Sequence, residues 1–508
     1  MDQTTYYDET VLTMTSASST SSSKRGAHDV AIIGTGFSGI AAATALIKEG
    51  VDDFVMFERS ADIGGTWLVN RYPGAEVDLE SHIYSFSFEP YDWSRTHADW
   101  RELLAYLQGV ARKWALYERT LLSTGVASVT WDEASRTWSI EDEAGTSHGP
   151  FKAVISAVGF LNTPLIPPFL RGETGFEGDL CHTSTWRDEL TLKDKAIGVL
   201  GTGSSAVQVV TEAERQGKSV KVFQIEPNWL LPKGARDFTP AERRWNKLRP
   251  VYYFRRYRLY LDYDLRQYNA AHARVGTSVN KKRLRAAKDY LHREMRSRPD
   301  LEALLTPSFS IEARRTVVSD TYYKSLLSPK VELVPHAVTD VTPSGVVDAT
   351  GEKHELDMIV LATGFDAANF ISTYRTTGEH GIVLRDQWEG GAEAFLGVMT
   401  PNFPNFFMIF GPNTSGIPLV TYYEAQAKFA AKAVRKLATG DASKITVKTY
   451  LHELYNRRLQ RRLHKTVWTE VSNYFQGTSG KVVSQWPFSP TAYLVGLRFA
   501  RWFGMDIK

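Results

Sequence analysis

The chain has a single cysteine, Cys181, among its 508 residues. No internal disulfide can form, which suits a reducing compartment and makes the cytoplasm the expected location. Dithiol–disulfide chemistry, which needs a cysteine pair, is excluded. No run of about eighteen apolar residues occurs, so no membrane span is expected. A large excess of either charge is missing too: 60 basic side chains face 57 acidic ones, a net charge of +3. That balance asks for neither nucleic acid nor an anionic surface. Residues 1–26 are rich in Ser and Thr, lack the apolar core of a signal peptide and carry Asp2, Asp8 and Glu9. They are expected to be a disordered tail. No metal site and no protein partner is read from the sequence. What remains is an ordinary globular composition, 43% hydrophobic and 23% charged, long enough for about two or three domains.

Glycine placement gives that length an organisation. Residues 29–33, DVAII, form a short apolar run that ends in GTGFSG at Gly34–Gly39. An apolar helical pattern follows, closed by Gly50, and then a second strand, DDFVMFE, ending at Glu58. Strand, glycine turn, helix, strand and acid in this order make a dinucleotide site. Gly34 permits the tight turn, Gly36 lets backbone approach a pyrophosphate, and Gly39 packs helix on strand. Ser38 opens the helix whose free N–H groups would face phosphate. Glu58 is placed to accept from ribose hydroxyls. A second unit begins with AIGVLGTGSSAVQVV and runs to a strand expected to end at Ile225 and Glu226. Its turn is Gly201, Thr202, Gly203, Ser204, Ser205 and Ala206, with Gln208 on the following helix. From residue 235 to about 307, Arg, Lys, Tyr and Trp become dense and glycine sparse, in a helical pattern. Acidic residues are mixed in, and long amphipathic side chains cover helix surfaces, so a helical insertion is expected rather than a nucleic-acid site.

Between the two turns lies FEGDLCHTSTW, with Phe176, Gly178, His182 and Trp186 in the spacing Phe-x-Gly-x-x-x-His-x-x-x-Trp. This resembles the fingerprint of flavin-dependent Baeyer–Villiger monooxygenases; the N- and S-oxygenating flavin monooxygenases usually end it in Tyr. Arg187 stands where the family pattern has Pro or Asp. A histidine such as His182 is otherwise a structural residue. The GGTW stretch at Gly64–Trp67 and the stretch from Asn70 to Phe88 resemble the family's flavin-facing loops. The resemblance places Thr66, Trp67, Asp78 and Tyr84 around FAD, although these aromatics could simply pack and Asp78 could cap a turn. Val126 matches the strand that meets adenine, or is strand core. The segment Ser310–Leu326 resembles the one carrying the family's catalytic arginine, which falls on Arg315, beside Arg314. Asp78 would hold that guanidinium in place. Thr316 stands where relatives often have Pro, and Asn473 where they often have Trp. GPNTSG at Gly411–Gly416 resembles the late flavin-side loop.

The implied architecture is α/β, with two dinucleotide-binding (Rossmann-like) domains for FAD and NADP and a helical insertion. The FAD domain is expected over residues 27–165 and 361–508, the NADP domain over 166–234 and 311–360, and the insertion over 235–310. The resemblance implies an FAD-dependent, NADPH-consuming enzyme that inserts one atom of O2 beside a ketone carbonyl through a flavin C4a-peroxide. An ester or lactone results, and the chain looks like fungal members of secondary (polyketide) metabolism. An N- or S-oxygenating monooxygenase and a flavoprotein oxidase without oxygenation are the alternatives. Ile225 stands where relatives usually carry Arg for the NADPH 2′-phosphate, while Glu226 is an acid in the NAD-type position. Arg314, Lys233 and Arg236 are the cations that could reach the phosphate instead.

Overall fold

The computed structural model describes residues 28–172, 174–267, 271–416, 418–477 and 479–508; the expected tail, 1–26, lies outside them. Two parallel five-stranded sheets form its frame. In the first, Val30–Ile33 lies between Phe54–Phe57 and Ala153–Ser156, with Phe406–Met408 and Thr120–Leu121 at the edges. In the second, Ala196–Leu200 lies between Ser219–Phe223 and Met358–Leu361, flanked by Val331–Val334 and Asp179–His182. Val30–Ile33, Phe54–Phe57 and Met358–Leu361 are buried at every position. Such continuously apolar strands form when both faces of a parallel sheet are covered. The helix Phe37–Lys48 covers the first sheet together with Leu419–Ala438, which packs alongside it. A Cβ on Gly39 would sit 1.9 Å from the Gly34 carbonyl oxygen, so only glycine brings helix and strand this close.

One strand departs from expectation. It ends at Phe223 rather than at Glu226. Gln224 still donates its N–H to the Val334 carbonyl, but Ile225 is 78% exposed and Pro227 has no N–H to extend the ladder.

The arginine-rich stretch is helical: Pro240–Asn246, Arg249–Asp262, Ser278–Met295 and Pro299–Leu304. Thr239 and Glu242 cap the first of these reciprocally, with Pro240 at its first position. Arg249–Asp262 is pinned inward by Arg256, whose buried guanidinium donates to the carbonyls of His82 and Ser85 at 2.7 and 2.8 Å.

His82 itself is fully buried, between the rings of Phe238 and Tyr252, and neither ring nitrogen has a partner among the described residues. Burial, reinforced by Arg255 and Arg256, pushes its pKa down to about 3. The folded protein thus keeps His82 neutral where the unfolded chain would bind a proton. Stability is then complete above the unfolded value near 6.5 and falls as pH drops below it. Between pH 6.5 and 5 this one group removes about 2 kcal/mol. The thermal midpoint should fall over that window, and His82→Phe should flatten the fall. An unchanged slope in the variant would assign the acid sensitivity elsewhere.

Candidate active site

Both glycine turns carry their sequence signature into geometry. Gly34 has φ +100° and Gly201 φ +123°; each N–H bonds the carbonyl ending the next strand, Phe57 at 2.8 Å and Phe223 at 3.2 Å. Gly36 and Gly203 are the N-caps of their helices, neither end has a side-chain cap, and neither first turn carries an acid. Unclaimed N–H groups and the helix dipole suit an anion at both places. Gly36 faces Gly65 so closely that a Cβ on Gly65 would lie 2.7 Å from the Gly36 Cα. This is a cradle that side chains would fill. Glu58 follows its strand directly; it accepts from Thr35 Oγ1 at 2.6 Å and from the Ser60 N–H at 2.8 Å.

A cleft of about 280 Å³ runs from the first turn to the second. Gly34, Gly36, Ser38, Glu58, Thr66, Trp67, Asp78, Tyr84, Val126, Ser204, Ser205, Gln208 and Arg315 all line it. Trp67 meets Tyr84 edge-on with ring centres 5.9 Å apart, and Tyr84 meets Phe37 at 5.1 Å. Expected site residues outside the lining are Gly39, under the helix, and Gly201, Thr202, Gly203, Ala206, Ile225 and Glu226 around the second turn.

Arg315 and Asp78 form an ion pair across this cleft. Asp78 comes from the loop after the first domain's opening unit, Arg315 from the chain returning out of the helical stretch. Both also line a second cavity, of about 110 Å³, together with Phe160 and Leu419. The pair therefore stands where the two cavities meet, and its exposed surface opens onto them. Asp78 raises the Arg315 pKa well above its ordinary value, against the opposing effect of burial. Burial alone would lift Asp78, but the Arg315 charge and hydrogen bond outweigh it and hold the carboxyl below its ordinary value. Both groups are charged at neutral pH. Tyr474 approaches the same guanidinium; burial raises its phenol despite the arginine. The second cavity is lined by the rings of Tyr422, Trp468, Phe475, Trp486 and Phe488 and also by the polar side chains of His272, Glu312, Thr316, Ser415 and Gln485.

A clasp that sequence reasoning missed holds the Asp78 loop. Tyr72 donates to Gln208 Oε1 at 2.7 Å and accepts from Ser205 Oγ at 3.2 Å, and Gln208 donates to the Glu76 carbonyl at 2.9 Å. Burial pushes the Tyr72 phenol up to about 12, so it remains a donor. Lys233 pairs with Glu76 at 2.6 Å and is 4% exposed, while Arg236 pairs with Glu242 at 2.7 Å. Lys233 is thus held in the interior, while Arg236 is half exposed. Arg314 pairs with Glu226, which follows the strand beside the second turn. The one sequence signal for the clasp was Tyr-Pro-Gly at 72–74, where Gly74 has φ +83° and a Cβ would sit 2.7 Å from the Gln208 carbonyl.

The fingerprint lies elsewhere. His182 is buried, with Nε2 3.1 Å from the Gly364 carbonyl and Nδ1 2.8 Å from Ser184 Oγ. Burial lowers its pKa although the Gly364 bond opposes this. Trp186 is in the core of the second sheet, and a Cβ on Gly178 would strike the Phe176 ring at 2.5 Å. None of the four lines either cavity. His182 instead ties its strand to the turn after Met358–Leu361. Asn473 spans carbonyls of Ala313, Trp468 and Val471 at 2.9, 3.0 and 2.9 Å, which braces the segment leading into Arg315. Among the described residues Asp348, Glu352 and His354 come within 4.8 Å of one another. Asp348 there accepts from the Thr350 and Glu352 N–H groups and from His354, the bonding of a hairpin turn.

Comparison with known proteins agrees with this geometry. Residues 27–374 match the model of the flavin-binding monooxygenase-like family. A Baeyer–Villiger monooxygenase of Pseudomonas aeruginosa is 36% identical over 471 residues, covering 90% of this chain and 87% of that one. The FAD-binding monooxygenase ktnD of Aspergillus niger is 30% identical, covering 95% and 83%. A steroid monooxygenase solved in oxidized form with NADP superposes with a TM-score of 0.86 at 26% identity, covering 94% of this chain and 99% of that one.

The facing glycines make one direct test. Gly36→Val places methyl groups in the cradle opposite Gly65. The purified variant should lose its yellow colour, read as flavin absorbance per protein, while keeping its far-ultraviolet circular dichroism. Full flavin content would show that the cradle holds nothing.

Proposed function

The chain belongs to the flavin-binding monooxygenase-like family, and from that premise we propose which of its residues perform the reaction and on what. It is an FAD-dependent, NADPH-consuming monooxygenase of the Baeyer–Villiger type. The Arg315–Asp78 pair, shared by the cleft and the aromatic cavity, carries the assignment of the catalytic centre.

FAD is proposed to lie in the 280 Å³ cleft: pyrophosphate over Gly34–Gly39, ribose toward Glu58, adenine toward Val126, and the ring system among Thr66, Trp67, Asp78 and Tyr84. NADPH is assigned to the turn Gly201–Ala206 with Ser204, Ser205 and Gln208. The corresponding division of the chain is 27–165 with 361–508 for FAD, 166–234 with 311–360 for NADP, and 235–310 as the insertion. Bound FAD supplies electron transfer from NADPH and the activation of O2. The protein's own residues do the rest. Arg315 keeps a fixed positive charge where negative charge develops on the ketone oxygen, and such preorganised donors act strongly in a site that excludes water. Guanidinium suits this because it stays protonated and presents several donors in one plane. Asp78, held ionised, has no proton to give and serves to aim Arg315. The rings of Tyr422, Trp468, Phe475, Trp486 and Phe488 would pack against the apolar part of the ketone, while Glu312, Thr316 and Gln485 offer it polar partners. We assign the enzyme to the cytoplasm and to fungal secondary (polyketide) metabolism; one relative, the FAD-binding monooxygenase ktnD of Aspergillus niger, is fungal. Among the described residues no helix is long and apolar enough to cross a membrane.

Product analysis with a ketone panel and a sulfide panel tests the reaction type: esters or lactones should form from ketones with faster turnover than sulfoxides. Sulfoxidation alone would contradict the reading. Arg315→Ala should leave flavin reduction within about tenfold of the parent while ester formation falls by two to three decades, the loss of roughly 3–4 kcal/mol from one charged donor. The missing product should appear as hydrogen peroxide. Parent-like ester yield would move the role to another residue, Arg314 first.

The Arg314–Glu226 pair bears on cofactor discrimination. Glu226 occupies the cation that would otherwise meet a 2′-phosphate, and Ile225 offers no charge-assisted bond, worth roughly 1.5–3 kcal/mol. NADPH should still reduce the flavin faster than NADH, with weak discrimination. Glu226→Gln should free Arg314 and raise the NADPH preference by about tenfold, whereas Arg314→Ala should abolish it. The measurement is flavin reduction at low, equal concentrations of each cofactor. A faster reaction with NADH in the parent would mean that this site is tuned for NAD.

A further inference from the structure

Two polar side chains of the second cavity lie away from the flavin cleft. Glu312 and Thr316 line that cavity and not the cleft, whereas Arg315, between them in the chain, lines both. Glu312 is only 8% exposed. A buried carboxylate is costly unless it is paired, and Arg283, from the helix Ser278–Met295, supplies the pair. Arg283 Nε donates to Glu312 Oε1 at 2.7 Å, and Nη2 stands 2.6 Å from the same oxygen. The other oxygen, Oε2, takes no hydrogen bond among the described residues. Thr316 Oγ1 is buried and also without a partner among them. Buried polar atoms of folded proteins are nearly always bonded, so an unfilled acceptor and an unfilled hydroxyl in one cavity point to an occupant that bonds them.

The backbone is bent to put Glu312 there. Its φ is +73°, in the left-handed region that side chains such as glutamate seldom adopt. The turn is held from both ends: Trp229 Nε1 donates to the Phe309 carbonyl at 2.8 Å, and Asn473 donates to that of Ala313 at 2.9 Å. Residues held in such conformations by their surroundings cluster at ligand sites.

We infer, on the reading of this cavity as the ketone's place, that the preferred ketone carries a neutral hydroxyl, alcohol or phenol, a few bonds from its carbonyl. The hydroxyl donates to Glu312 Oε2 and has Thr316 Oγ1 as its second partner. A hydroxyl has one proton to give and lone pairs to receive. That matches a carboxylate oxygen, which only accepts, together with a threonine hydroxyl able to donate. Charged groups on the substrate match less well. A carboxylate would stand against Glu312, and an ammonium would meet a Glu312 already neutralised by Arg283, in a cavity that also holds the Arg315 charge. A methyl in the same place would leave both protein groups unpaired and out of water, the strong form of discrimination between substrates. Glu312 and Arg315 are three residues apart, so their Cα atoms are separated by at most about 11 Å. One small molecule can therefore present its carbonyl to the arginine and its hydroxyl to the glutamate.

The test titrates the full-length, flavin-loaded protein with two matched pairs of ketones, followed by isothermal calorimetry so that no turnover is needed. One pair is a cyclohexanone with a hydroxyl or a methyl opposite its carbonyl. The other is a phenylbutanone with a hydroxyl or a methyl at the far end of its ring. In at least one pair the hydroxy ketone should bind about tenfold or more tightly than its methyl partner, the size of one hydrogen bond to a charged acceptor. Glu312→Gln should cut that preference at least about fivefold, because its amide oxygen can stay with Arg283 while an NH2 donor replaces the accepting Oε2. Thr316→Val should cut it about threefold, and Thr316→Ser, which keeps the hydroxyl, should retain it. Each preference is a ratio within one variant, so general damage to the site divides out. Flavin content and far-ultraviolet circular dichroism check that each variant is folded, and the threonine variants serve alone if Glu312→Gln does not fold. Equal affinities within both pairs in the parent overturn the inference, as does a preference unchanged in either Glu312→Gln or Thr316→Val when folded. Failure of the ketone chemistry is read separately: a hydroxyl preference in binding with no ester formed rejects the reaction and leaves the hydroxyl site standing.

Discussion

The ion pair between Arg315 and Asp78 is the point on which the proposed active site depends. Its partners lie 237 positions apart in the chain, so neither reaches its place through local structure. Asp78 is delivered by a loop clasped to the second nucleotide unit through Tyr72, Ser205, Gln208, Glu76 and Lys233. Arg315 is delivered by a segment braced from behind by Asn473. Two supports that involve neither the pair nor each other thus converge on one guanidinium. In the role proposed for Arg315, this would hold a charge ready before the reaction needs it, and preorganisation of that kind avoids a reorganisation cost at the moment of reaction.

The clasp also answers how two nucleotide folds become one enzyme. Each glycine turn can bind an anion by itself, because each places uncapped helix N–H groups at a strand's end. Nothing in either turn fixes its distance from the other. Tyr72, buried and kept protonated, reaches from the loop of one unit to the first helical turns of the other. The fingerprint histidine does a parallel service: it joins the Asp179–His182 strand to the turn at Gly364, near which the chain returns toward the first sheet. A motif that looked chemical in sequence thus acts as a joint.

Most strands, both glycine turns and the acid Glu58 were legible because periodicity and glycine placement are local signals, while the strand expected to reach Glu226 ends at Phe223. The two-sheet architecture, the helical stretch and the lining of the first cleft followed from them and from family likeness. What stayed hidden depends on contacts between distant segments. Lys233 and Arg236 looked like free cations in sequence, and their pairing with Glu76 and Glu242 is a fact of tertiary structure. Glu226 was ambiguous for the same reason, since its direction was set by Arg314. Asn473 looked like a bare departure from the family pattern and is a brace. The exposed side of Arg249–Asp262 could not be separated from its buried side until Arg256 was seen beneath it.

If Asp78 acts only by aiming Arg315, the two residues form one functional unit, and unit behaviour is read from a double-mutant cycle. The decisive measurement is the partition of consumed O2 between ester and hydrogen peroxide in Asp78→Ala, Arg315→Ala and the double variant, each with flavin content confirmed. The account predicts that the double variant loses no more ester formation than Arg315→Ala alone, within about twofold. Losses that multiply would show Asp78 acting independently on the reaction and would contradict the positioning role assigned to it.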